Sequence, residues 1–337
     1  MSNHPTFANK IDVCHAGRKT EKNKIMVIQF SHNGKELNLS RKESKDYKFD
    51  SNSSGYRFWN NTQEHKRKFM KHKGWFLENL GNEFSTKPKE AELYFWGEWE
   101  PQSRFELTGN SFSSKERLPH AIHYPIFSTK GIGCHNTDPF VFGDYFYYTN
   151  CKQKQFGRGK NMLTLSKDSI IIFGSEINKS DFIIDTVFVV SENETVEEYK
   201  KHPNNYPQIL RQATIDLNGG LQNWHKLYKG KMYDFENHYS ENNKYAFCFF
   251  PCKIDCGNNG FERPIINWRK FRFQEPGAGT VLYRINPNPD FEYWNALVAE
   301  LVAQGFSLGI KLDFPPIENN VTFPEYENKD RNCGKFC

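Results

Sequence analysis

Between Glu92 and Val190 the chain reads ELYFWGEWEPQS (92–103), LPHAIHYPIF (118–127), GCHNTDPFVFGDYFYYTNCKQ (133–153), SIIIFGSE (169–176) and FIIDTVFVV (182–190). These short apolar runs are rich in β-branched and aromatic residues and are separated by Gly, Asn, Asp and Ser, the pattern of strands. Polar side chains are embedded in them: Glu98, Glu100, His120, His123, Asp138 and Asp144 stand beside Trp96, Trp99, Tyr147 and Tyr148. Carboxylates and imidazoles are costly to bury unless paired, and indole and phenol faces suit flat ligands. The stretch therefore predicts a pocket for a flat, hydrogen-bonding ligand within a β-rich fold.

On the N-terminal side, IMVIQF (25–30) reads as an early strand and RKESKDYKFDSNSSG (41–55) as a polar loop or arm. The segment TQEHKRKFMKHKGWFLENL (62–80) reads as a helix. Phe69, Met70, Phe76, Leu77 and Leu80 form its interrupted apolar stripe, Gly81 is its stop, and Gly74 argues against one unbroken helix. On the C-terminal side, SENETVEEYKKHPNN (191–205) is a polar break with room for a short helix, and PQILRQATIDL (207–217) reads as another. Asp290 is placed to cap a helix over Phe291–Gln304, with Phe291, Trp294, Leu297, Val298, Leu301 and Val302 on one face and Gly305 at its end. LGIKLDF (308–314) then alternates like a strand. The expected fold class is α+β and β-rich. Its expected parts are a basic N-terminal region with a helix (1–90), a β-rich core (91–190) and a smaller cysteine-containing α+β unit (207–337), with a boundary near 191–206.

A chain of 337 residues allows about two domains, and its 30 Phe, 16 Tyr and 7 Trp favour pleated surfaces. No apolar run approaches the roughly eighteen residues of a transmembrane helix, and the start, MSNHPTFANKIDVCHAGRK, lacks the apolar centre of a signal peptide. A cytosolic protein with no membrane partner is expected. Eight cysteines in that setting read as thiols or metal ligands before disulfides. The net charge is +5, and its basic excess lies within the first 90 residues. This asymmetry favours a polyanionic partner such as nucleic acid or a nucleotide.

Five constellations carry chemistry. In Trp96-Gly97-Glu98-Trp99-Glu100-Pro101, a strand would set Trp96, Glu98 and Glu100 on one face, which places two carboxylates along a pocket wall. Paired acids serve general acid/base work, glycosidic chemistry or recognition of base amino groups; an edge strand with solvated acids is the alternative. His120 and His123, with Cys134, His135 and Cys151, have the donor types of a zinc site. Two imidazoles three apart on a strand point to opposite faces, however, so structural or ligand-contact roles come first. In Asn136-Thr137-Asp138-Pro139 the proline holds Asp138 extended, and the three polar residues form a compact hydrogen-bonding knot or an ordinary turn.

Cys248, Cys252 and Cys256, spaced by three residues in what reads as a turn-rich loop, are the candidate metal ligands, with Cys333 and Cys337 at the C-terminus. Unliganded thiols are the default there, and a structural zinc is the expected role if metal is held. The last constellation is basic: Lys66, Arg67, Lys68, Lys71 and Lys73 could contact phosphates, with Trp59, Phe69 and Trp75 nearby for stacking. A solvated helix face is its bland alternative. Phosphate-loop, zinc-helix and nucleophile-elbow motifs are absent.

The middle of the chain resembles PUA-like domains, the superfamily that includes EVE, ASCH and YTH modules. The likeness rests on the β-rich order with polar–aromatic loops and on Lys167-Asp168-Ser169-Ile170-Ile171-Ile172-Phe173-Gly174 leading to Ile184-Asp185-Thr186-Val187-Phe188-Val189-Val190. It implies a β-barrel core over roughly 90–190 whose loops border a ligand pocket. The stretch is also similar to bacterial families associated with nucleotide modification, which occur beside DNA-modifying or antiviral genes. No residue can be equated with a known base-contacting position.

The leading expectation is a nucleic-acid or modified-nucleotide binding protein, with Trp96, Glu98, Trp99, His123, Asp138 and Tyr147 as pocket residues. A second is an enzyme acting on a nucleoside or N-glycosidic bond, with Glu98, Glu100 or Asp138 as acid or base. A third is a protein-interaction subunit whose aromatics form an exposed patch.

Overall fold

The computed structural model describes residues 25–31, 57–59, 67–110, 117–129, 137–149, 153, 162–176, 181–215, 226–267, 281–284 and 290–319. Strands dominate. In chain order they are β1 (Met26–Ser31), β2 (Arg57–Trp59), β3 (Lys68–Leu77), β4 (Lys89–Gly97), β5 (Ser103–Leu107), β6 (Ala121–Pro125) and β7 (Tyr147–Tyr148). They continue as β8 (Ile170–Glu176), β9 (Asp181–Thr195), β10 (Lys226–Gly230), β11 (Phe250–Lys253), β12 (Ile265–Asn267), β13 (Val281–Arg284) and β14 (Ser307–Leu312). Among the described residues three α-helices accompany them: α1 (Val196–Lys201), α2 (Gln208–Leu210), which runs on as a π turn over Arg211–Ile215, and α3 (Asp290–Ala303).

The strands form two seven-stranded sheets. One runs β13-β1-β8-β9-β10-β7, with β12 also on β9; the other runs β14-β11-β4-β3-β6-β5-β2. In the second sheet β14 returns to pair with β3, so β3, β4, β11 and β14 close into a four-stranded antiparallel barrel. Closure removes edges that would otherwise expose unpaired backbone groups. Hydrogen bonding crosses the boundaries expected from sequence: β1 pairs with β8 and β13, β3 pairs with β4 and β14, and β11 lies between β4 and β14.

The expected helix over 62–80 is corrected to strand β3 across its described part. Lys68 through Phe76 pair residue by residue with Gly97 through Lys89, and tertiary pairing overrides the apolar spacing read as helical. Gly74 looked like a defect in a helix, but it is the point where β14 crosses. A Cβ there would lie 2.4 Å from the Lys311 carbonyl oxygen. The run FVFGDYFYY is also shorter as a strand than expected. Gly143, at φ +86°, turns the chain so that Phe140 bridges back to Tyr147, leaving only Tyr147 and Tyr148 in β7. The supposed turn around Pro251 is strand β11, with Pro251 opposite Leu308.

Elsewhere the elements follow their local signals. α1 begins at a capping box in which Thr195 accepts from the Glu198 amide and the Glu198 carboxylate accepts from Thr195 N–H. α3 buries Trp294, Leu297, Val298, Leu301 and Val302 as its periodicity requires. The Trp294 indole donates to Phe247 O at 2.9 Å and packs at 4.7 Å on the Phe247 ring. Phe30, Tyr148, Phe173 and Phe188 form an aromatic cluster on the first sheet.

One irregularity positions the candidate site. Between β8 and β9 the register steps from Phe173↔Thr186 to Gly174↔Ile184, which leaves Asp185 as the extra residue of a β-bulge. Bulges re-aim side chains, and this one carries the only charge in FIIDTVFVV. Gly174 permits it: a Cβ would fall 1.8 Å from the Ile183 carbonyl oxygen. Gly174→Ala is therefore expected to cost more than about 2 kcal/mol, because the obstacle is backbone rather than a movable side chain. Urea unfolding would check this, and a loss within about 0.5 kcal/mol would show that the bulge relaxes freely.

Candidate functional site: a buried charged network

Arg67, the residue before β3, is fully buried and lies opposite Glu98, the residue after β4. Its Nη1 donates to Glu98 Oε2 and its Nε donates to Asp185 Oδ2 at 2.5 Å. Arg263 reaches the other Asp185 oxygen at 3.4 Å and Ser175 Oγ at 3.2 Å. It arrives there because β12, just after it, pairs with β9 beside the bulge. Two guanidinium groups and two carboxylates thus join the bulge of the first sheet to the β3–β4 end of the second. Burial alone would favour a neutral Arg67, but attraction to Asp185 and Glu98 outweighs it and holds the guanidinium above its ordinary value.

The network continues through the predicted knot. Glu98 Oε1 faces the Asp138 amide at 3.5 Å, and Asp138 Oδ1 accepts from the Thr149 amide at 2.9 Å. Thr137 Oγ1 accepts from the Glu100 amide at 3.1 Å, and Thr137 O accepts from the Thr214 hydroxyl. The Asp138–Pro139 peptide is cis.

A second arm starts at Lys68, the first residue of β3 and also fully buried. Its Nζ donates to Pro101 O at 3.3 Å, and no salt bridge joins it to a carboxylate among the described residues. Burial pushes its pKa down to about 7, although the charges of Glu100 and Glu98 pull the other way. His123 on β6 is buried beside it; burial, and then the Lys68 charge, lowers the imidazole well below its ordinary value. The ring is therefore neutral, with Nδ1 2.8 Å from Ser103 Oγ and its face stacked on Phe105. A low-pKa amine, a neutral imidazole and adjacent carboxylates are the ingredients of proton-transfer chemistry.

Of the residues expected from sequence to line a pocket, Glu98, Glu100, Asp138 and His123 all belong to this network. The aromatics do not form its wall. Trp99 is fully buried, donates to Gln102 O at 2.8 Å and packs edge-on against Phe142 at 4.9 Å. Tyr147 packs against Tyr145 and Tyr206, and burial raises its phenol. Trp96 comes closest to the site: its indole donates to Phe261 O at 2.8 Å while the Arg263 guanidinium lies 5.5 Å over its ring.

The basic set divides. Arg67 and Lys68 are internal, Lys71 pairs with Glu92 at 2.6 Å, and Lys73 pairs with Glu90. Lys66, His135, Cys134 and Cys151 lie outside the described residues, as do Cys333 and Cys337. The three candidate metal ligands are apart in role. The Cys248 thiol donates to Val189 O at 3.4 Å and the Cys252 thiol to Ser307 O at 3.6 Å, whereas Cys256 is half-buried. Burial raises all three thiols, Cys248 to about 12 and Cys256 to about 11. Among the described residues no group of three His, Cys, Asp or Glu is arranged to hold a metal.

Asp185, Arg263, Gln102, Ser103 and Thr149 complete the network but were not singled out from sequence. Only Asp185 left a signal, as a lone charge within an apolar strand. No family model, curated protein or solved structure matches this chain.

Lys68 makes the site pH-sensitive in a defined direction. Between about 7 and its ordinary 10.5 the unfolded chain holds a proton that the folded chain has released. Stability due to Lys68 therefore rises with pH across that window. Relative to Lys68→Met, wild-type unfolding free energy is expected to climb by up to about 1.4 kcal/mol per pH unit between pH 7.5 and 9.5. Parallel urea-midpoint curves for the two proteins would show that the lysine is not depressed.

Proposed function

We propose that the protein binds a nucleotide, or a base presented by nucleic acid, at the Arg67–Glu98–Asp138 network. One observation carries the reading. Among the described residues, the buried atoms Arg67 Nη2, Gln102 Oε1 and Thr149 Oγ1 have no hydrogen-bond partner. Each such atom costs roughly 1–3 kcal/mol in a protein interior, so native structures fill nearly all of them. A donor-rich guanidinium, an amide acceptor and a hydroxyl complement the mixed donors and acceptors of a base edge.

The pairing of Lys71 and Lys73 with glutamates shifts the emphasis from a phosphate-tracking surface to a base-sized ligand. We carry the PUA-like assignment as part of this proposal. The β-rich build and the closed barrel support it, while the barrel draws β3, β11 and β14 from outside residues 90–190. A setting in nucleotide modification or antiviral defence belongs to the same proposal and rests on the resemblance. Among the described residues no helix is long and apolar enough to cross a membrane.

The second reading, an enzyme acting on an N-glycosidic bond, is favoured by the burial of both Glu98 and Glu100 and by their shared influence on Lys68. Glu98 is held by Arg67, which favours its anion and leaves Glu100 or Asp138 for the acid. An interaction patch built from Trp96, Trp99 and Tyr147 has no support, because all three are buried.

Native mass spectrometry of freshly purified protein, followed by titration with nucleoside monophosphates and short oligonucleotides, tests the proposal. Saturable binding is expected, and Thr149→Val, which keeps the side-chain shape but removes the hydroxyl, should weaken it about tenfold with little change in unfolding midpoint. Absence of binding across the whole series, or equal affinity in the variant, would remove base recognition by this network.

A further inference from the structure

We propose that the Lys68 amine is a covalent nucleophile toward a small sugar aldehyde; this rests on the reading of the network as a ligand site. The geometry is unusual for a lysine. A buried ammonium presents three N–H donors and normally finds acceptors or a carboxylate partner. Lys68 is fully buried, yet it makes one hydrogen bond, to Pro101 O at 3.3 Å, and no ion pair among the described residues. That coordination suits a neutral amine, which has two N–H groups and a lone pair. The depressed value near 7 agrees with the geometry, since a working fraction of the amine is then unprotonated at neutral pH.

The surroundings provide what imine formation needs. Lys68 pairs with Gly97 of β4, and two residues on Met70 pairs with His123 of β6, so the strand that carries the amine is held in the sheet, as a reacting group requires. Glu100 and Glu98 act on it electrostatically from the β4 end, and His123 faces it from β6. Arg67, on the adjacent position, is occupied by Glu98 and Asp185 and does not compete for the incoming group through Nη1 or Nε.

The step balances without a redox partner. The amine lone pair attacks the carbonyl carbon and a nitrogen–carbon bond forms. Two protons pass from the nitrogen to the former carbonyl oxygen, relayed by the Glu100 carboxylate, which is regenerated; the carbon–oxygen bond breaks as the carbon–nitrogen double bond forms, and water leaves. An imine remains and hydrolysis reverses it. Gln102, whose Oε1 has no partner among the described residues, would accept from a sugar hydroxyl.

The experiment uses the full chain and glycolaldehyde as probe, with cyanoborohydride to reduce any imine to a stable secondary amine, and maps the modified lysines by peptide mass spectrometry from pH 6 to 9. Lys68 should be modified at pH 7 at least about tenfold faster than Lys71 or Lys73, with a rate midpoint near 7, because Glu92 and Glu90 hold those two amines protonated there. Modification of the surface lysines with Lys68 untouched would overturn the proposal, as would a Lys68 rate still rising steeply above pH 9. The two proposals fail separately. Nucleotide binding with an unreactive Lys68 leaves a binding site without this chemistry, and a reactive Lys68 in a chain that binds no nucleotide refutes only the base reading.

Discussion

Arg67 is the constraint around which the rest of the molecule is arranged. A guanidinium cannot be buried without anions to face it, and here one comes from the strand beside it and one from the other sheet. Glu98 is available because β3 and β4 pair in register up to Lys68↔Gly97, which sets residues 67 and 98 opposite each other. Asp185 is available because a bulge adds one residue to β9, and the bulge is available because Gly174 has no side chain. Arg263 then balances the second oxygen of Asp185 and covers Trp96. The ion network is consequently a joint between two sheets as well as the candidate site.

Such a joint is a poor way to gain stability. Desolvating several charges consumes most of what their attraction returns, and apolar replacements of similar volume often do as well or better. The atoms on Arg67, Gln102 and Thr149 that have no partner among the described residues add further cost, and so does a buried lysine with one acceptor among them. Strain of this kind concentrates where a protein binds or reacts. The surrounding fold is conventional by contrast: a closed barrel, aromatic clusters and a capped helix supply the stability that the site draws on.

Much of this was legible in the sequence, for local reasons. Glu98, Glu100, His123 and Asp138 stood out because each interrupts an apolar strand pattern, and the structure gathers all four. α3 and β14 follow directly from periodicity and a glycine stop. Arg67 and Lys68 were hidden because a His-Lys-Arg-Lys run reads as solvated, and only pairing with a strand thirty residues later turns two of its members inward. The partner of Arg67 across the sheets lies 118 residues away, a separation that no local pattern encodes. Trp99 misled for the opposite reason: an indole beside two acids looks like a ligand wall, yet its N–H is satisfied by a carbonyl three residues on and its ring fills the core.

The central claim is that the Arg67 network is kept for recognition and costs the fold more than it returns. Simultaneous replacement of the three interlocked charges, Arg67→Met with Glu98→Leu and Asp185→Leu, tests this most directly, with urea unfolding and nucleotide titration on the same preparation. The expected result is an unfolding free energy no lower than that of wild type, and up to about 4 kcal/mol above it, together with loss of nucleotide binding. A variant that binds nucleotide as well as the wild type, or one that is unfolded in buffer, would contradict the claim and identify the network as structural.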